Sequence, residues 1–118
     1  MPHAPRRAIT PLVCSLVGQA QRVTLVPGTR ASALYGTAET VEDFRCSYGV
    51  NPAYAAPLRD AGLTPSGFGG DGELRIVELA NHPFFLATLF LPQMRSTAAR
   101  PHPLLAGFAR ALTRPVRL

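Results

Sequence analysis

Apolar and polar positions change their period several times along this chain, and each change predicts an element. Ile9 to Gly18, ITPLVCSLVG, is β-branched and leucine-rich and closes on glycine, while QRVTLVPG alternates Val23 and Leu25 before Pro27-Gly28. These segments predict strands over 10–17 and 21–26. TRASALYG reads as a short helix over 30–35, with Thr29 as N-cap and Gly36 as stop. ETVEDFRCSYGV sets Val41, Asp43, Arg45 and Ser47 on one face and Glu42, Phe44, Cys46 and Tyr48 on the other, which predicts an extended segment over 39–48 with a polar working edge.

Asn51-Pro52 is a helix start for 52–61, with Pro57 interrupting it and Gly62 ending it. Strands follow over 63–68 and 73–79, joined by Gly69-Gly70-Asp71-Gly72. That turn precedes a strand rather than a helix, so it is not a phosphate loop. PFFLATLFLP predicts a strand over 84–91, apolar enough to be buried on both faces as in a parallel sheet. The last helix, 103–112, sets Leu104, Leu105, Phe108 and Leu112 on one side.

Composition narrows the classes. With 118 residues, 47% hydrophobic and 16% charged, the chain is a globular unit, divided here into a loose segment over 1–9 and a domain over 10–118. All 12 basic residues are arginine, and the net charge of +5 is scattered without an aromatic stripe, which argues against nucleic acid. Cys14 and Cys46 make no metal-ligand spacing, so neither metal nor cofactor is expected and a reducing cytoplasm fits. Arg6-Arg7 before a short apolar stretch imitates an export signal, but Pro11 interrupts it. No run approaches the length of a membrane span.

Several motifs keep a common order. YGVNPAYAAPLRDAGLTPSGFGGDGELRIVELANHPFFLATLFLPQMRS followed by RPHPLLAGFARAL resembles the C-terminal half of the glutamine amidotransferase domain of CTP synthase, a class I amidotransferase, over about residues 10 to 113. It is closer still to a lineage described as related to the CTP synthase C-terminal region, some members of which carry selenocysteine. The resemblance implies an α/β, flavodoxin-like partial domain with a mixed sheet and flanking helices.

It also implies a cysteine nucleophile on a Gly-x-Cys-x-Gly elbow and a Phe-His-Pro-Glu element that supplies base and orienter. This chain reads Phe90-Leu91-Pro92-Gln93 there. Leucine cannot accept a proton, and neutral glutamine cannot support an imidazolium. The family's elbow lies upstream of the matched motifs, as does its ATP- and UTP-binding ligase domain. No glutaminase residue is therefore expected to be retained. His82 stands at the far end of the predicted strand, and His102 matches a family histidine distinct from the catalytic one.

The resemblance leaves Arg45 and Tyr48 as candidates for holding a small amino-acid ligand, since the family uses an arginine in this stretch for the glutamine α-carboxylate. The plainer alternative is a surface Arg45 paired with Asp43 or Glu42. Cys46, beside Arg45, and Cys14 are candidate reactive thiols, with inert burial as the alternative. His82 and His102 are read as turn and cap residues. The functional expectation is a catalytically deficient module that binds a partner chain or small ligand, either as a homo-oligomer or with a separate chain completing the domain. A thiol-dependent enzyme, or one part of a split or longer amidotransferase, is the alternative.

Overall fold

A computed structural model describes residues 9–11, 16–45, 48–50, 52–70 and 72–113. Two sheets organise them. β2 (Gln19–Leu25), β3 (Glu39–Phe44), β5 (Leu63–Gly69), β6 (Leu74–Leu79) and β7 (Leu86–Thr88) form one sheet in the order β3-β2-β5-β6-β7, whose described pairings are antiparallel. β1 (Ile9–Pro11) and β4 (Tyr48–Val50) form a two-stranded antiparallel sheet. Helices α1 (Arg30–Tyr35), α2 (Ala55–Asp60) and α3 (Pro103–Leu112) flank the strands, with single 3₁₀ turns at Pro52–Tyr54 and Pro92–Arg95.

The helix limits follow local chemistry. Thr29 Oγ1 accepts the Ser32 N–H to cap α1, and Gly36 ends the helix at φ 71°, a left-handed conformation that glycine adopts without a Cβ clash. The 69–72 cluster is the expected turn. Gly72 N–H reaches the Gly69 carbonyl at 2.9 Å, and Gly69 N–H reaches Glu73 at 2.8 Å.

Four expectations need correction. Of the strand expected over 10–17, Thr10 and Pro11 belong to β1 and residues 12–15 lie outside the described residues, while Leu16 to Gly18 leads through a turn into β2 and is not strand. The segment 39–48 is not one strand: β3 ends at Phe44, and β4 belongs to the other sheet. The 84–91 run forms only the short β7, antiparallel to β6 at the end of the sheet, so its apolar composition does not mark a parallel strand buried on both faces; Phe85 is 42% exposed. On α3 the buried positions are Leu104 and Gly107, while Leu105, Phe108 and Leu112 face outward.

The core joins Val23 and Leu25 of β2, Phe44 of β3 and Ile76 of β6 to Ala31 of α1 and Leu104 of α3, with Leu16 and Phe90 between. Close approach of β5 to β6 depends on Gly67, where the register shifts around Pro65 to Phe68. A Cβ at Gly67 would lie 2.7 Å from two Ile76 side-chain carbons and 3.1 Å from Ile76 Cβ, which the backbone holds in place. At Gly107 the obstacles are the Leu34 methyls, at 2.6 and 3.0 Å. Those are the far ends of a side chain that can rotate, and alanine gains roughly 1 kcal/mol over glycine within a helix. Gly67→Ala should therefore destabilise the protein by about 1–3 kcal/mol in urea unfolding, with a smaller loss for Gly107→Ala. The reverse order would contradict this packing.

Candidate functional site

The segment where base and orienter were sought is held against the edge strand β3. Phe90 makes an isolated antiparallel bridge to Phe44, and their rings meet edge-on at 5.7 Å. Leu91 N–H donates to the Asp43 carbonyl at 3.1 Å, and the 3₁₀ turn Pro92–Arg95 follows, with Met94 N–H on the Leu91 carbonyl at 3.0 Å. Arg95 Nη2 reaches Asp43 Oδ1 at 3.2 Å. Leu91 is half-buried and Gln93 is exposed, so this position offers an aliphatic side chain and a neutral amide.

Behind this segment lies a histidine–glutamate pair that the sequence reading did not identify. Glu42, 1% exposed, receives His102 Nε2 on Oε2 at 2.6 Å, and the Tyr35 hydroxyl donates to the same oxygen. His102, 3% exposed, also caps α3: its Nδ1 accepts the Leu104 N–H at 3.1 Å. Because Nδ1 accepts, the ring hydrogen sits on Nε2 and is donated to Glu42. The His102 backbone N–H donates to Ser96 Oγ at 2.9 Å, which ties the 90–96 segment to the helix start.

The pair resembles a base with its orienter, but both ring nitrogens are engaged and neither residue reaches the surface. It cannot move a substrate proton in this arrangement. Its sequence signal was an acidic residue two positions before Phe44 on the face β3 buries. The cap expected of His102 is present, and His82 Nδ1 accepts the Phe84 N–H at 3.1 Å, as a turn residue does.

The other candidates are dispersed. Arg45 is exposed just beyond β3. Its anticipated partners are engaged elsewhere, Asp43 with Arg95 and Glu42 with His102 and Tyr35, so the proposed surface pairing is corrected. The Tyr48 backbone pairs with Pro11. Cys14 and Cys46 lie outside the described residues. Among the described residues no cluster of three or more His, Cys, Asp or Glu side chains could hold a metal, and no helix is long and apolar enough to cross a membrane.

Comparison with known proteins agrees with the motifs. The chain is 45% identical over 92 residues to the CTP synthase of Pyrobaculum calidifontis, which covers 77% of this chain and 17% of that protein. It is 47% identical over 88 residues to the CTP synthase of Rubrobacter xylanophilus, covering 74% and 16%. In three dimensions it matches the Trypanosoma brucei CTPS glutaminase domain with bound acivicin at a TM-score of 0.77 and 30% identity, over 88% of this chain and 42% of that one. No family model matches. The resemblance to the C-terminal half of a class I glutamine amidotransferase domain thus holds in sequence and in fold, and the chain spans less than a fifth of the curated relatives' length.

The bonding of Tyr35 to buried Glu42 gives stability a pH dependence. Burial first, then the hydrogen bond to Glu42 and its charge, hold the Tyr35 phenol far above its ordinary 10.0. Below that value both folded and unfolded chains keep the proton, and the stabilisation is complete. Above it the unfolded chain releases a proton that the folded chain retains, so stability falls as pH rises. Urea unfolding from about pH 9 to about pH 11 should show a steeper decline for the natural chain than for Tyr35→Phe; parallel declines would contradict this assignment.

Proposed function

We propose that this chain, similar in sequence and fold to part of a CTP synthase glutaminase domain, is a catalytically deficient amidotransferase-like module that binds a partner chain or a small ligand and does not hydrolyse glutamine. One observation carries the reading: Leu91 and Gln93 occupy the segment docked on β3 where the family motif supplies its base and orienter. Removing one member of such a triad costs several orders of magnitude in rate, and here two roles are unfilled. The remaining histidine–glutamate pair is sealed in the core.

Arg45 supports the binding half of the reading. An exposed guanidinium beyond β3 suits a carboxylate, and an amino acid is the ligand class we propose for it. We place the protein in the cytoplasm and its role beside pyrimidine nucleotide metabolism, by analogy with the relatives it matches.

Purified protein incubated with L-glutamine should release ammonia no faster than buffer does, with or without Cys46→Ser. Release that Cys46→Ser abolishes would overturn the proposal and favour thiol chemistry.

A further inference from the structure

Two arginines from different helices line one small hollow. α1 and α3 approach closely where Gly107 has no side chain: a Cβ there would lie 2.6 and 3.0 Å from the Leu34 methyls and 3.3 Å from Phe84 Cε2. The hollow, of about 210 Å³, is walled by Arg30 and Leu34 of α1, by Pro83 and Phe84, and by Gly107 and Arg110 of α3.

Arg30 is held in position there. Its guanidinium lies 5.5 Å from the centre of the Phe84 ring and donates through Nη1 to the Pro83 carbonyl. That carbonyl belongs to a turn that His82 fixes by accepting the Phe84 N–H on Nδ1 at 3.1 Å. A guanidinium has five N–H donors, and this contact uses one of them. Because the side chain is already ordered, a ligand that binds it loses less free energy to ordering.

The walls carry no counter-charge. Neither helix contains an acidic residue, nor does the chain from Leu79 to Leu91. Among the described residues no carboxylate pairs with Arg30 or Arg110. Glu78 reaches the start of α1, but it is buried and its two oxygens receive the Arg30 and Ala31 backbone N–H groups at 2.7 and 3.0 Å. Its charge is met by backbone donors, and the two arginines are left with a mutual repulsion that a bound anion would relieve.

Charge and size select that anion. A guanidinium fork matches carboxylate or phosphate oxygens, and two forks can use more charge and more oxygens than one carboxylate has. A phosphate monoester carries a charge of about −1.5 to −2 at neutral pH on three acceptor oxygens. The hollow is smaller than the roughly 300–1,000 Å³ of sites that enclose drug-sized ligands, so it suits a small ion or one end of a larger molecule. We infer that Arg30 and Arg110 form a phosphate-binding site between α1 and α3, for free phosphate or for the phosphate end of a small monoester. The site shares no wall residue with the 90–96 segment or with Arg45, so it goes beyond the proposed function, and ammonia release would leave it standing.

The test titrates the nitrogen-15-labelled whole chain with inorganic phosphate at low salt and follows nuclear magnetic resonance shifts. Saturable shifts are expected at the Gly107 and Ala111 amides and at the Arg30 and Arg110 side chains, with a Kd of about 1 mM or tighter. Benzoate, a monoanion, should bind at least about tenfold more weakly. Arg110→Gln and Arg30→Gln should each weaken phosphate at least about tenfold, with unchanged far-ultraviolet circular dichroism showing that the variants fold. Arg59→Gln removes the same charge from α2, outside the hollow, and should change the affinity less than about twofold. Phenyl phosphate separates the two sources: tighter binding than inorganic phosphate identifies a monoester, and equal or weaker binding identifies the free ion. Shifts that fail to saturate by about 20 mM phosphate, shifts centred on other arginines, benzoate binding as tight as phosphate, or an equal loss in Arg59→Gln would overturn the inference.

Discussion

A carboxylate buried on an edge strand has to be met by donors from elsewhere in the chain, and in this protein that requirement organises the site. Glu42 on β3 takes a phenol from α1 and an imidazole from the residue that begins α3. Leaving such a charge without partners costs about 3–5 kcal/mol, a large part of a small domain's stability. The contact between β3 and the start of α3 is therefore not optional. With it comes the placement of 90–96, bridged to Phe44 on one side and joined to His102 through Ser96 on the other.

This constraint separates two roles that share the same residue types. A histidine beside a glutamate is what an amidotransferase uses to manage protons, yet here, at 2.6 Å, both imidazole nitrogens are taken up in capping a helix and joining two elements. The surface position that would need such chemistry holds Leu91 and Gln93. A sealed pair and an aliphatic side chain at position 91 are what the proposed loss of the reaction rests on. The fold's likeness to a glutaminase domain then reports common architecture, while activity depends on side chains that differ.

Some of this was legible in the sequence. α1 and α3 have the limits that Thr29, Gly36 and His102-Pro103 predict, because caps act through the nearest few residues. β5 and β6 are close to their expected bounds because glycine turns delimit them. The division of 39–48 and the shortening of 84–91 were not visible, since an apolar run cannot show whether a neighbouring strand exists to pair with it. The outward turn of Leu105 and Phe108 follows from Gly107, whose missing side chain lets α3 rest on Leu34 and Phe84 and so selects the face that is buried. Glu42 was misplaced as a polar edge residue because its partners, Tyr35 and His102, are 7 and 60 positions away and no local pattern joins them.

The account rests most on the histidine–glutamate pair being a structural bond, and a double-mutant cycle measures that directly. Glu42→Gln, His102→Asn and the double variant would be compared with the natural chain in urea unfolding at neutral pH. A structural pair gives a coupling free energy of about 1 kcal/mol or more, within the roughly 0.5–3 kcal/mol seen for residues in direct contact. Single losses that add to within about 0.3 kcal/mol would mean the two residues act independently, contrary to the structure described.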